Sequence, residues 1–318
     1  MIERQRDSVD TECPGEESQE ASTDGGYVTS EQTATVEATQ TANSGGRLTR
    51  PRQIAVLAHL EYRLAIRSRW AYALTALFAL FGLMLATFSG SAVGPEGLER
   101  IVASLASLAV YLIPLAALAF GYDTVVGRDE EGWLAVVFSL PVYRWQVVLG
   151  GFAGRALVLA TATVVGFSAV GALLLRDYGL AYWHTFIGFL LAAVGLGLAF
   201  LAIAVFVSSL ARVKTHALGL VLLVWLWFVI IHDLLALGIV AALSLPETIL
   251  TALVLANPAD VFRVLVLSQL DTTAGGGIDA AVAETGLSIG LLLGSLLAWI
   301  LIPLAAGAYL VRRRRVSK

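Results

Sequence analysis

TFIGFLLAAVGLGLAFLAIAVFVSSL, residues 185–210, is a run of 26 residues without a single Asp, Glu, Lys or Arg. A helix needs about 20 apolar residues to cross the hydrocarbon core of a bilayer, so this run is long enough to span a membrane. Its apolar residues are continuous, whereas the strands of a membrane β-barrel alternate apolar and polar residues. The stretch therefore predicts a transmembrane α-helix.

The rest of the chain has the same character. Of its 318 residues, 58% are hydrophobic and only 14% are charged, and the mean hydropathy is +0.79. Soluble domains carry about 25% charged residues, so the sequence predicts an all-α membrane protein with several spans. We place six transmembrane helices in a domain over residues 70–311, at about 70–88, 101–121, 147–175, 185–210, 217–243 and 285–311.

The first 46 residues differ from the rest in composition. They hold ten Asp and Glu against two Arg and are rich in Ser, Thr and Gly. A segment of low hydrophobicity and high net charge cannot bury enough apolar surface to fold, so residues 1–46 are predicted to be a disordered acidic tail. Residues 47–69 mix arginines with leucines, which predicts an amphipathic helix lying on the membrane surface in contact with lipid.

Lysine and arginine set the orientation of a membrane protein, because the cytoplasmic loops carry more of them. With the N-terminus inside, only Arg100, Arg176 and Arg263 fall outside, which leaves 18 of the 21 Lys and Arg on or near the inner side. The basic tail at 312–318 is among them. We therefore expect both termini in the cytoplasm and the chain in the cell membrane as a multi-pass protein.

The predicted cytoplasmic loop at 122–146 contains a short apolar run in a charged setting. The run 133–140 is too short to cross a bilayer, and Pro141 ends any helix before it. Such a run in the cytoplasm must lie on the membrane or dock on another protein. We expect a short helix and a tight turn that face the cytosol; the alternative is a loop resting on lipid headgroups.

Five strings between residues 128 and 155 carry a family resemblance: RDEEG, WLAVVF, SLP, VYR and LGGFAGR. They resemble the first cytoplasmic loop of the ABC-2 family of ABC-transporter permeases, which also has six spans and both termini inside. The sequence departs from the family pattern at Trp133, where a small residue is expected, and at Gly151, where lysine is common. The resemblance implies the type V exporter-like permease fold.

In that family the loop is a coupling helix that fits a groove on a separate ATPase subunit and transmits its motion to the spans. The sequence has no G-x-x-x-x-G-K-[ST] phosphate loop, so we expect ATP and Mg²⁺ on the partner ATPase, no cofactor on this chain, and a permease homodimer. The resemblance implies that the ATPase is contacted by Arg128, Asp129, Glu130, Glu131, Gly132, Leu140, Pro141 and Arg144.

Residues 244–284 form a long predicted loop on the outer side. Asn257 can cap a helix whose first residue is Pro258. That helix, 258–270, is too short to span a membrane. We expect it at the outer interface or against an extracytoplasmic partner, with Asp260 and Arg263 exposed. Asn257, Asp260 and Arg263 are therefore the candidate partner contacts.

Two further strings, WFVIIHDLL at 227–235 and NPADVFR at 257–263, resemble the permease of the nitrous-oxide-reductase maturation system. That resemblance implies an extracytoplasmic copper-handling protein as partner and a role in assembling the copper centres of the reductase. The alternative is a generic ABC-2 exporter permease for a small molecule or lipid. We expect protein and lipid partners, and no nucleic acid.

Three polar residues lie within the predicted spans, where ionisable groups are costly and often functional. His232 and Asp233 point to helix faces about 100° apart. They indicate a substrate or proton pathway or, for Asp233, a hydrogen bond within the bundle. Arg155 is a third candidate for the substrate pathway; alternatively, it extends to the cytoplasmic interface or pairs with a carboxylate such as Asp123. The four histidines fall at different depths, so no metal site is predicted.

Glycines recur at close spacing along the third, fourth and sixth spans, and small residues let helices approach closely in lipid. We favour packing within the chain, with a dimer face as the alternative. The glycines are Gly150, Gly154, Gly166, Gly195, Gly197, Gly286, Gly290 and Gly294.

Two other classes of protein compete with a non-catalytic permease. One is an intramembrane enzyme, although the sequence has neither HExxH nor GxSxG. The other is a passive channel or structural subunit.

Overall fold

The computed structural model describes residues 50–66, 69–89, 95–130, 143–180, 183–242, 246–270 and 287–313, which are helical almost throughout. The predicted acidic tail at 1–46 lies outside the described residues, as do residues 131–142 of the predicted coupling loop, which include the whole apolar run 133–140, and residues 314–318 of the basic tail. The helices are α1 Arg50–Ile66, α2 Arg69–Ser89, α3 Pro95–Gly121, α4 Val126–Glu130, α5 Arg144–Tyr178, α6 Trp183–Leu210, α7 Lys214–Leu226, a π-helix Trp227–Ile231, α8 His232–Ala242, α9 Glu247–Leu255, α10 Pro258–Leu267 and α11 Ile289–Arg313.

Within the described ranges, six helical segments are long and apolar enough to cross a membrane. The bounds of these segments agree with those of the six predicted spans to within six residues at each end. Five of the segments are α2, α3, α5, α6 and α11. The remaining segment consists of α7, the π-helix and α8 in succession. We call that joined segment the fifth span. The prediction of an all-α protein with six spans is confirmed.

α6 lies at the centre of the bundle, where it packs against α3, α5 and α11. The most apolar part of α6 is 67% buried, against 22% for the fifth span and 17% for α11. Its Phe189 stands edge-on to Phe167 of α5, with ring centroids 5.3 Å apart, and Phe167 stacks on Phe78 of α2 at 5.6 Å. Offset and edge-on aromatic pairs of this kind fix the packing of neighbouring helices.

Glycines on α5 allow two helices to lie directly on its backbone. A Cβ atom at Gly154 would lie 2.8 Å from the carbonyl oxygen of Ala58 in α1, and one at Gly166 would lie 2.6 Å from the Cβ of Phe78 in α2. The prediction of packing within the chain is confirmed for these positions. It is wrong for Gly290 and Gly294 of α11 as far as the described residues go, because none of their atoms lies within 4 Å of a Cβ built there.

The fifth span leads into two short helices, α9 and α10, which meet at an angle of 111°. We call α9 and α10 the bent pair. α10 packs against α3, α6, α11 and the π-helix. Eight of the ten residues of α10 are buried among the spans; the placement of this helix at the outer interface or against an outer partner stays a prediction.

Candidate functional site

Polar residues gather in two places in the bundle. The first, which we call the Arg128 cluster, consists of Glu61, Asp123, Arg128 and Arg155, and joins α1, α4 and α5 to the turn after α3. The second, which we call the Asn257 cluster, consists of His232, Asp233, Asn257, Asp260 and Arg263 and joins the fifth span to the bent pair. Together they contain most of the predicted site residues that the structure describes.

The side chain of Arg128 turns into the protein. Its Nη2 donates to Oε1 of Glu61 on α1, and the two side chains are only 14% and 11% exposed. A Cβ atom at Gly151 would lie 3.5 Å from Nη1 of Arg128. Gly151, where the family pattern has lysine, therefore lies directly beside the guanidinium of Arg128. Arg128 therefore links α4 to α1.

Arg155 pairs with a carboxylate. Its Nη1 lies 2.6 Å from Oδ1 of Asp123 and also donates to the carbonyl oxygen of Phe120, whose ring centroid is 5.5 Å from the guanidinium carbon. The predicted pairing of Arg155 with Asp123 is confirmed. Its proposed place in a substrate pathway stays a prediction.

Glu130 contacts the start of the fifth span. Its Oε1 accepts a hydrogen bond of 2.7 Å from the backbone N–H of Lys214, the first residue of α7. The first N–H groups of a helix lack partners within the helix, and a carboxylate there is favoured by the helix dipole. Ser208 of α6 acts similarly on α4, because its Oγ accepts from the N–H groups of Val125 and Val126 at 3.0 and 3.1 Å.

The remaining predicted contacts of the ATPase are less fully described. Asp129 and Glu130 are exposed at the end of α4. Arg144 is the first residue of α5. Glu131, Gly132, Leu140 and Pro141 lie outside the described residues. Contact between any of these residues and an ATPase stays a prediction.

Asn257 caps α10, as predicted from the Asn-Pro pair. Its Oδ1 accepts from the N–H of Ala259 at 3.0 Å, and Pro258 occupies the first helical position. Because Oδ1 is held by this cap, Nδ2 must face the opposite side. There it lies 2.9 Å from the carbonyl oxygen of Phe228, 3.0 Å from Nδ1 of His232 and 3.0 Å from Oδ2 of Asp260.

Asp260 and Arg263 are not exposed, so that prediction is wrong. The side chain of Asp260 is 7% exposed and that of Arg263 is 15% exposed. The reason is that both have partners on the fifth span. Oδ2 of Asp260 lies 3.0 Å from Nδ1 of His232, and Nη1 of Arg263 lies 2.9 Å from both carboxylate oxygens of Asp233. Contact of Asn257, Asp260 or Arg263 with an outer partner stays a prediction.

His232 and Asp233 therefore contact the same helix through different residues. The prediction that Asp233 makes a hydrogen bond within the bundle is confirmed, with Arg263 as the partner. In the described part of the chain, no group of three or more His, Cys, Asp or Glu side chains could hold a metal ion. A substrate or proton pathway through these two residues stays a prediction.

The sequence analysis missed several contacts of both clusters. Glu61 could have been found, since it is the single acidic residue among the arginines of 47–69. The π-helix, which exposes the carbonyl of Phe228 to Asn257, has no clear sequence signal. The contacts of Trp299 and Ser295 of α11 also have no clear sequence signal. Nε1 of Trp299 and Oγ of Ser295 donate to the carbonyl oxygen of Leu255 at 3.0 and 3.3 Å.

Residues 55–316 match the family described as ABC-2 family transporter protein. The chain belongs to the ABC-2 transporter family. It is 36% identical over 269 residues to the probable ABC transporter permease protein NosY of Pseudomonas aeruginosa, which covers 82% of this chain and 98% of that protein. It is also 36% identical over 276 residues to the protein of the same name from Stutzerimonas stutzeri, covering 83% and 99%.

Family membership fixes the general role of the chain. The family match begins in α1 and extends past the end of α11, so both clusters lie inside it. The chain is thus the multi-pass membrane subunit of an ABC transporter, and an ABC-2 permease implies an ATPase subunit as partner.

Proposed function

We propose that this chain couples ATP hydrolysis by a separate ATPase subunit to movement of a substrate or to mechanical work on an extracytoplasmic partner. Nucleotide binding and hydrolysis on two ATPase chains move the loop at 122–146, and the loop moves the spans of a permease homodimer. The family match over 55–316 carries this proposal. The exposed Asp129 and Glu130 at the edge of the loop support it, since charges that flank an apolar docking segment fix its register on a partner.

The more specific proposal is a role in the maturation of nitrous-oxide reductase. It is supported by similarity over 98% and 99% of the length of two NosY permeases, together with the strings WFVIIHDLL and NPADVFR. In this role the chain works with a copper-handling protein outside the membrane and serves assembly of the copper centres. The alternative, a generic ABC-2 exporter permease, shares the coupling loop and differs in the outer partner.

The proposed topology follows the positive charges. Both termini and the Arg128 cluster face the cytoplasm, where the ATPase binds, and the chain lies in the cell membrane. The Asn257 cluster lies in the outer half of the bundle. ATP and Mg²⁺ bind to the ATPase chains rather than to the permease.

Charge reversal in the loop tests the coupling proposal. Glu131→Lys and Arg144→Glu are expected to weaken association with the ATPase at least about tenfold, since like charges brought together across an interface cost several kcal/mol. The ATP-dependent output of the complex, which is substrate movement or work on the outer partner, should fall together with the association. The measurements are co-purification of the ATPase with the tagged permease and ATP hydrolysis by the complex in lipid.

The matched controls are Asp177→Lys and Arg176→Glu. They make the same charge reversals at an exposed pair, with Nε and Oδ1 3.9 Å apart, at the other end of α5. The controls should leave association and hydrolysis unchanged. The coupling assignment is wrong if the loop variants also bind the ATPase normally and hydrolyse ATP at the normal rate.

A further inference from the structure

We propose that the fifth span transmits movement from the coupling loop to the bent pair, and that Asp233 and Arg263 are the positioning residues that make the bent pair follow the span. This inference rests on the proposed function, because it needs an ATP-driven movement at the loop. It assigns a role to the Asn257 cluster that is separate from substrate binding. The cluster is a mechanical connection, formed by an ion pair and an amide, between two parts of the permease.

The lower end of the fifth span is in contact with the coupling loop. The carboxylate of Glu130, at the end of α4, accepts from the N–H of Lys214, where α7 begins. A Cβ atom at Gly127 of α4 would lie 2.9 Å from Cε of Lys214, so the two elements touch along the side chain as well. A displacement of α4 therefore acts directly on the start of the span.

Between its ends, the fifth span buries few of its residues within this chain. Only 22% of its most apolar part is buried, against 67% for α6. A hydrogen bond of 3.2 Å from Nε1 of Trp225 to the carbonyl oxygen of Tyr111 ties it to α3. A helix with few packed neighbours can shift as a unit, whereas a close-packed helix such as α6 cannot without disturbing the core.

The upper end of the span is fastened to α10 by three polar connections. Nη1 of Arg263 lies 2.9 Å from both oxygens of Asp233, and Nδ1 of His232 lies 3.0 Å from Oδ2 of Asp260. Nδ2 of Asn257 donates to the carbonyl oxygen of Phe228 in the π-helix at 2.9 Å. His232, Asn257 and Asp260 are buried, so separation of α8 from α10 would leave buried polar groups without their partners, which is costly.

The geometry of the ion pair suggests a discriminating set of variants. A single nitrogen of Arg263 contacts both oxygens of Asp233, so the pair does not use the two-nitrogen fork that only arginine offers. One ammonium group can make the same contact. Arg263→Lys should therefore retain the connection, whereas Arg263→Gln and Asp233→Asn should lose it. The exposed pair supplies matched controls, Arg176→Gln and Asp177→Asn.

The experiment measures assembly, ATP hydrolysis and ATP-dependent output of the permease–ATPase complex in lipid. Asp233→Asn and Arg263→Gln are expected to assemble and hydrolyse ATP normally but to lose output by about 5- to 150-fold, the range that coupling between sites spans. Arg263→Lys and both control variants should retain output. A pair that only stabilises the fold would instead lower assembly, hydrolysis and output together.

Two results overturn the inference. One is full output with Asp233→Asn and Arg263→Gln. The other is loss of assembly and hydrolysis in parallel with output, which assigns the pair to folding. A wild-type complex without an ATPase partner or ATP-dependent output contradicts the proposed function instead, so the two failures are distinguishable.

A distance measurement on functional protein gives a second test. Cys13 is the only cysteine in the sequence, so a Cys13→Ser variant has none. Cysteines introduced into it at Leu237 on α8, Ser268 after α10 and Phe88 on α2 can then carry spin labels, since all three positions are exposed. Between nucleotide-free and vanadate-trapped complexes, the Leu237–Ser268 distance should stay constant while the Phe88–Ser268 distance changes. A changing Leu237–Ser268 distance, or no change in either, contradicts the inference.

Discussion

At the scale of single residues, charged side chains pair within the chain, including Arg128 and Arg263, which were expected to face partners. Arg128 meets Glu61, Arg263 meets Asp233, and Arg155 meets Asp123. The physical reason is common to all three. An unpaired ion is expensive away from water, so a charged side chain in a membrane bundle finds a partner when one is within reach. Opposite charges in two apolar segments of such a sequence are therefore first candidates for a pair.

Asn257 gives a prediction at this scale, because its two ends do different work. Asn257→Ala removes the cap of α10 and leaves the carbonyl of Phe228 without its amide donor. We expect a loss of about 1–3 kcal/mol in stability. Asn257→Asp keeps the cap but replaces the donor with an oxygen 3.0 Å from Oδ2 of Asp260, so it should be more destabilising than alanine.

The measurement is thermal unfolding of the purified chain in one detergent, with the wild type as reference. Asp177→Asn on the exposed end of α5 is the control for a surface change and should unfold with the wild type. If Asn257→Asp unfolds at a higher temperature than Asn257→Ala, the donor side of Asn257 does not have the role assigned to it.

At the scale of elements, the spans could be predicted from the sequence because a membrane demands about 20 continuous apolar residues. α6 satisfies this rule by itself, and its bounds were found to within two residues. The bent pair could not be found in this way. α9 and α10 have nine and ten residues, each too short for the rule. The burial of α10 depends on contacts with residues some 30 positions earlier in the chain, such as the contact of Arg263 with Asp233.

The π-helix also escaped prediction. It holds one extra residue in a turn, with the N–H of His232 donating to the carbonyl oxygen of Trp227 five positions earlier. Such widened turns are rare and occur often at functional sites. Here the turn lies where the carbonyl of Phe228 meets Asn257, so it forms part of the Asn257 cluster.

A pair of deletions tests this account of the π-helix. Removal of Ile230 takes the extra residue out of the turn, so α7 and α8 should keep their relative orientation and Asp233 should still reach Arg263. Removal of Leu222, in the regular part of α7, should rotate α8 by about 100° relative to the start of the span and separate that pair. We expect the first variant to assemble with the ATPase and the second to fail.

Co-purification and thermal unfolding provide the measurements for these deletions. The wild type gives the reference values for the amount of co-purified ATPase and for the unfolding temperature. Equal loss of assembly in both variants would contradict the view that the extra residue is accommodated locally in the turn.

At the scale of the whole molecule, the two polar clusters lie on one continuous path. The Arg128 cluster adjoins α4, α4 contacts the start of the fifth span through Glu130 and Lys214, and the span ends in the Asn257 cluster. The close-packed α6 gives the bundle a fixed centre, while the fifth span and α11 have the least buried surfaces. This division suits a permease that moves some spans against others.

The main proposal is that this chain works with an ATPase to move a substrate or to act on a partner outside the membrane. The most direct test is purification of the tagged chain from its native membrane in mild detergent, with identification of every protein that co-purifies. We expect an ATPase subunit together with an extracytoplasmic copper-handling protein. An ATPase alone would contradict the maturation role and leave a generic exporter; no nucleotide-binding subunit and no ATP-stimulated activity would contradict coupling to an ATPase altogether.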